Sequence, residues 1–127
     1  MPISDFQEND MMTHLTGALD RGQDIGHYGR LVYTMVGRHF LSEDELVAQL
    51  CKNPGIDETQ ARALVVQVRE RGYNPPRREK ILQFQEQQDF PICPVGDDPN
   101  GCNVYKNLRF PQEVYDQINA YYEQKVS

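Results

Sequence analysis

The sequence predicts an all-α domain: about six helices in a compact orthogonal bundle, with a long irregular loop near residues 89–110. Three observations point there. Apolar residues recur at three- and four-residue spacing in segment after segment, and no run alternates with the two-residue period of a half-buried strand. Helix-boundary signals stand where that spacing needs them, as two capping boxes, a closing glycine and a proline opening the last helix. The 127 residues suffice for a single domain, residues 1–127, around one modest core.

The first helix is predicted over Asp10 to Leu19, with Met11, Met12, Leu15, Ala18 and Leu19 as its apolar stripe. Residues 1–9 before it are expected to be flexible. Arg21-Gly22-Gln23-Asp24 reads as a turn. The second helix begins at Ile25 or His27 and runs to Phe40, with Val32, Met35, Val36 and Phe40 as its core face. At 100° per residue, His27, Arg30, Thr34 and Arg38 share a second, narrow stripe. That stripe reads equally as a binding surface or as a solvated face.

Ser42-Glu43-Asp44-Glu45 is a capping box, because the Ser42 hydroxyl can accept from an exposed backbone N–H while Glu45 reaches back. It opens a third helix through Leu46, Val47 and Leu50 to Cys51, stopped by Asn53-Pro54-Gly55. Asp57 and Gln60 cap a fourth helix with Ala61, Leu64, Val65 and Val68 inward, and Gly72 closes it. A fifth helix is predicted from Arg77 to Gln88, with Ile81, Leu82 and Phe84. Asp89 to Phe110 carries Pro91, Pro94, Gly96, Pro99 and Gly101 and reads as irregular. Pro111 opens the last helix, with Val114, Ile118, Tyr121 and Tyr122 inward.

Net charge and cysteine usage narrow the function classes. A formal charge of -6 counts against a surface coated in cations for non-specific DNA binding, yet leaves room for a local basic site. From Arg62 to Lys80, Arg62, Arg69, Arg71, Arg77, Arg78 and Lys80 face only Glu70 and Glu79. No apolar run is long enough to span a bilayer, so no membrane partner is expected. The first residues lack the basic start and apolar stretch of a signal peptide, and three cysteines is an odd count for a secreted disulfide framework. The expected compartment is cytoplasmic, with reduced, unliganded cysteines.

Eight residues lie between Cys93 and Cys102, too many for a zinc knuckle. Cys51 lies in an apolar helical context and reads as a core residue. His14, His27 and His39 could complete a mixed site, but no spacing supports one. No nucleophile–base signature and no phosphate-binding glycine loop is present, so nothing argues for an enzyme. Phosphate binding needs Arg, Lys and exposed N–H groups, and single-strand recognition adds stacking planes. His27, Tyr28, Arg30 and Arg38 on one helix, with Tyr73, Arg77, Arg78 and Lys80 at the start of another, supply those types.

Several blocks keep a fixed order: His27-Tyr28-Gly29-Arg30 with Leu31-Val32-Tyr33, then Leu41 to Leu46, Tyr73-Asn74-Pro75-Pro76-Arg77-Arg78, Ile92-Cys93-Pro94 and Cys102-Asn103-Val104-Tyr105. Together they resemble the C-terminal domain of the large subunit of archaeal and eukaryotic DNA primase, over roughly Met11 to Leu108. In that family four cysteines hold a [4Fe–4S] cluster between two halves of a helical domain. In the best register Met11 and Arg78 stand at the first two ligand positions, leaving Cys93 and Cys102. Cluster ligation needs thiolates, so no intact cluster and no cofactor is expected, and the four positions are vestigial.

The resemblance implies a non-catalytic accessory domain. It would grip a single-stranded template or primer 5′ end for a separate primase-polymerase or replication protein. Contacts to phosphate fall by resemblance on His27 and Arg30, with Tyr28 near a base or sugar. Arg38, Arg77, Arg78 and Lys80 join them from charge geometry. The competing expectation is a protein–protein interaction module on the same scaffold, in which nucleic-acid binding was lost with the cluster.

Overall fold

The structure is a computed structural model describing residues 9–93, 104–108 and 110–117. Its elements are α-helical throughout the described residues: α1 (Asp10–Asp20), α2 (Gly26–Gly37), α3 (Glu43–Leu50), α4 (Glu58–Arg71), α5 (Arg78–Gln85) and a short α6 (Val104–Asn107). Residues 112–117 are helical as well.

Each boundary has a local cause. Asn9 caps α1 by accepting the Met12 N–H at 2.9 Å. At the other end Gly22 is left-handed (φ 72), and Gly22 N–H and Gln23 N–H donate to Leu19 and Ala18 carbonyls. That pairing is the Schellman closure. Both expected capping boxes form, Ser42 with Glu45 on α3 and Asp57 with Gln60 on α4. Gly72 (φ 62) closes α4 by the same Schellman pairing, with Tyr73 N–H donating to Val68 and Gly72 N–H to Arg69.

The hub is α2, which packs against α1, α3, α4 and α5. Burial therefore extends over Gly29, Val32, Tyr33, Thr34, Val36 and Gly37, a wider arc than one apolar stripe. Met11, Met12, Leu15, Ala18 and Leu19 of α1 are all buried, as their spacing predicts. Tyr33 is fully buried against them, its hydroxyl 3.1 Å from that of Thr16. Burial pushes its pKa up to about 12, with the Thr16 bond opposing the shift.

The start of α2 is assembled by distant side chains. Its N-cap, Ile25, supplies no capping side chain. Instead Asn53 Oδ1 accepts the Ile25 N–H at 2.8 Å, Asp24 Oδ1 accepts that of Gly26 at 2.8 Å, and Gln88 Oε1 accepts that of Tyr28 at 2.9 Å. The Gln88 amide also donates to the Ile25 and Phe90 carbonyls at 2.9 and 3.0 Å. Gly26 makes room for it: a Cβ there would lie 2.4 Å from Gln88 Oε1, and its φ is +79.

Several expectations are corrected. Asn9 is buried and capping rather than part of a flexible 1–9 segment; residues 1–8 lie outside the described residues. The second helix ends at Gly37, and a turn carries Arg38 to Phe40. Thr34 is fully buried and its hydroxyl donates to the Arg30 carbonyl, so the proposed His27–Arg38 stripe is covered at its centre. Met35 is only half-buried, while Tyr33 takes a core place. The fifth helix stops at Gln85 because Gln88 is committed to the start of α2. A helical turn, α6, interrupts the expected loop, since Val104 and Leu108 bury at a four-residue spacing.

Cys51 is exposed and free, because it follows the last turn of α3 and points away from the Leu46–Leu50 face. Cys93 takes part in a disulfide, against the expectation of reduced cysteines. Cys102, like Pro94, Asp97, Asp98, Asn103, Ile118, Tyr121 and Tyr122, lies outside the described residues.

Replacing Gly26 with Ala is expected to destabilise the fold by about 3 kcal/mol, combining left-handed strain with a displaced Gln88. The control is Gly22→Ala, where φ is +72 but nothing lies within 4 Å. It should cost only the strain, about 1 kcal/mol. Urea unfolding of both variants measures the difference, and equal losses would show that Gln88 does not hold α2.

Candidate nucleic-acid interface

The eight residues singled out for binding fall into separate groups. His27 and Arg30 line an open depression of about 330 Å³ between α2 and α4, together with Gly55, Ile56, Gln60, Ala63, Leu64 and Gln67. His27 is exposed at its rim. The Arg30 guanidinium lies 3.4 Å from Asp24 Oδ1.

Tyr28 faces α5 instead. Its ring stacks on Phe84 with centroids 5.0 Å apart, and its hydroxyl donates to Gln87 Oε1 at 3.0 Å. Lys80 Nζ lies 5.3 Å from the Phe84 centroid, which adds a cation–π contact to that stack. The half-buried Tyr28 ring is therefore occupied within the fold rather than presented to a base or sugar.

A third group does converge. Arg38 leaves the end of α2 and donates to the Tyr73 carbonyl at 3.3 Å. Tyr73 follows Gly72, and its side chain is the exposed large hydrophobic among the described residues, at 36%. Arg71 reaches the Tyr73 hydroxyl at 3.5 Å. Arg38 is half-buried, its Nε has no hydrogen-bond partner among the described residues, and burial lowers its pKa against the opposing field of Glu113. Sequence reasoning placed Arg71 in the charge run but not in the site. The signal was its spacing across a closing glycine, which sets it beside Tyr73.

From Tyr73 the chain passes through Asn74, Pro75 and Pro76 to Arg77, a reach of at most about 14 Å. The Tyr105 hydroxyl donates to the Pro75 carbonyl, fixing this segment, and Arg77 acts electrostatically on that hydroxyl. Arg77 is the N-cap of α5 and makes no side-chain cap bond; Arg78, half-buried, is its first helical residue. Cations near a helix N-terminus oppose its dipole, so this basic start gains nothing from α5 itself.

Two cations of α4, Arg62 and Arg69, are otherwise engaged. Arg62 pairs with Glu43 at 2.9 Å, Asp44 at 3.1 Å and Glu58 at 3.3 Å, and Arg69 pairs with Glu43 at 2.6 Å. Arg38, Arg71 and Lys80 have no such ion pair among the described residues.

Of the residues expected at vestigial ligand positions, Met11 is fully buried in the core and Cys93 is nearly so. His14 bonds the Pro91 carbonyl at 2.9 Å and stacks on Phe90 at 5.1 Å. His39 packs edge-on against Phe110 at 5.5 Å. Among the described residues, no three His, Cys, Asp or Glu side chains gather as a metal site would require. No family model, no curated protein and no solved structure matches the chain.

His39 supplies a pH signature beside Arg38. Burial, and then the neighbouring Arg38 charge, lower its pKa from 6.5 to about 4. The unfolded chain takes up this proton first as pH falls, so stability present above pH 6.5 is lost towards pH 4. The loss should be on the order of 2 kcal/mol, because the ring keeps partial contact with water. Urea unfolding at pH 7 and pH 4 should show His39→Phe losing less stability on acidification than the unmodified chain; equal losses would remove His39 as the cause.

Proposed function

We propose that this chain is a non-catalytic single-strand nucleic-acid-binding domain whose contact surface is centred on Tyr73. The observation that carries the reading is an exposed Tyr73 side chain with the half-buried Arg38 at its backbone carbonyl and Arg71 at its hydroxyl. An aromatic face stacks any base, and guanidinium groups beside it take the adjoining phosphates through charge-assisted bonds. Arg77, Arg78 and Lys80 extend the positive field along the start of α5. An anion held there would offset their unfavourable position on the helix dipole.

The accessory role, holding a template strand or primer 5′ end for a separate primase-polymerase, rests on the order of motifs resembling the primase large-subunit domain. The reading does not need Tyr28, which is committed to Phe84 and Gln87. It does not draw on His27 and Arg30 either, since they line a different depression.

The net charge of -6 favours a second reading, a protein–protein module. Nucleic-acid binding then has to be local and to involve few phosphates. Affinity should fall with salt at a shallow log–log slope, about -2 to -3 for three or four phosphates on a single strand.

Anisotropy with a labelled single-stranded oligonucleotide, with and without a 5′-triphosphate primer, tests both readings. Tyr73→Ala should weaken binding by roughly 1–3 kcal/mol, the worth of one stacked base. Arg71→Ala and Arg38→Ala should weaken it and flatten the salt slope, while Arg30→Gln leaves it unchanged. No binding at low salt, or full affinity in Tyr73→Ala, would overturn the proposal. A protein partner recovered by a chain that binds no nucleic acid would favour the second reading.

A further inference from the structure

The depression between α2 and α4 has a chemistry of its own, separate from the Tyr73 surface. Its apolar part is Ile56 and Leu64, both half-buried. Gln60 and Gln67 stand on the α4 side and His27 at the rim. The Gln60 carbonyl oxygen is used by the Asp57 cap at 3.0 Å, which leaves its amide N–H groups as donors. The volume of about 330 Å³ sits at the lower end of ligand sites, roughly 300–1,000 Å³.

Arg30 decides the charge. Its side chain is only 20% exposed, and its one polar side-chain contact among the described residues is Asp24 Oδ1 at 3.4 Å. That same oxygen already accepts the Gly26 N–H at 2.8 Å. A guanidinium carries five donors, and those not turned to Asp24 stay open to solvent and to an incoming acceptor. The depression thus presents an under-used planar fork beside an apolar floor.

We propose that this depression is a binding site for a small organic carboxylate with an apolar body. One fork matches the two oxygens of one carboxylate. A phosphate dianion fits less well, because a single Arg leaves half its charge unmatched close to Asp24. The hydrocarbon or aromatic part lies on Ile56 and Leu64, and the two glutamines supply hydrogen bonds at the wall.

The probes are 4-phenylbutyrate, its uncharged amide 4-phenylbutanamide, and phenyl phosphate, titrated into the full chain by ¹H–¹⁵N correlation spectra. The carboxylate should give saturable shifts confined to residues around Gly55, Gln60 and Leu64. It should bind about tenfold tighter than the amide, the worth of one charge-assisted bond pair. In Arg30→Gln that preference should vanish, with acid and amide binding equally.

Asp24→Asn is the second variant, since it keeps an oxygen for the Gly26 N–H while removing the competing charge. Carboxylate affinity should rise in it by about two- to threefold, as for loss of an exposed charge. Shifts elsewhere on the chain, equal affinity for acid and amide, or tighter binding of phenyl phosphate would overturn the proposal. So would weaker binding in Asp24→Asn. None of these outcomes bears on the Tyr73 surface, so the two proposals fail separately.

Discussion

The structure turns on how the N-terminus of α2 is satisfied. A helix start exposes backbone N–H groups that need acceptors, and burial makes an unmet one expensive. Ile25 caps α2 without a usable side chain, and the acceptors come from Asp24, from Asn53 beyond α3 and from Gln88 beyond α5. Asn53 is itself buried and also donates to the Pro54 carbonyl. Three segments far apart in sequence are thereby fixed to one point. Because α2 packs against α1, α3, α4 and α5, fixing its start fixes the register of the whole bundle. Both candidate surfaces inherit that geometry: Arg30 sits one turn above the anchored point, and Arg38 at the opposite end of the helix.

Local signals made most of the fold legible in the sequence. The capping boxes at Ser42 and Asp57, the closing Gly72 and the α1 stripe are short-range devices, and each forms as its residues dictate. Long-range determinants were not legible. Gln88 reads as one more polar residue at the end of an amphipathic helix, and only the approach of Ile25 and Tyr28 turns it into a cap. The burial of Tyr33 and Thr34 follows from α2 being surrounded, which a one-faced stripe does not anticipate. The stretch leading into the His27-to-Arg30 motif has structural work of its own: Asp24 caps, Gly26 clears space for Gln88, and Gly29 lets Ile25 approach to within 3.1 Å of where a Cβ would be.

Charge is distributed unevenly along this acidic chain. Glu43, Asp44 and Glu58 are spent on Arg62 and Arg69, joining α3 to α4. Pairs this exposed contribute little stability each, commonly below about 1 kcal/mol. Their larger consequence is that the neutralised part of the basic run lies before Gly72. The left-handed turn then carries the chain to Tyr73, and the cations around it face a different set of neighbours. The run of six cations seen in sequence is therefore two populations, with Arg62 and Arg69 held in ion pairs between α3 and α4 and the other four lying around and beyond the closing Gly72.

The segment from Gln88 to Cys93, which follows α5, is tied back onto α1, α2 and α5 by several side chains at once. Gln88 binds Ile25 and Tyr28 on α2, His14 on α1 takes the Pro91 carbonyl and stacks on Phe90, and Gln85 accepts the Cys93 N–H at 2.9 Å. Ile92 is fully buried between these contacts, and Met11 packs into the same core. A set of neutral hydrogen bonds and ring contacts, each worth about 1 kcal/mol, can hold such a segment provided they act together. The disulfide at Cys93 then adds a covalent tie at the end of a segment that these contacts already hold in place.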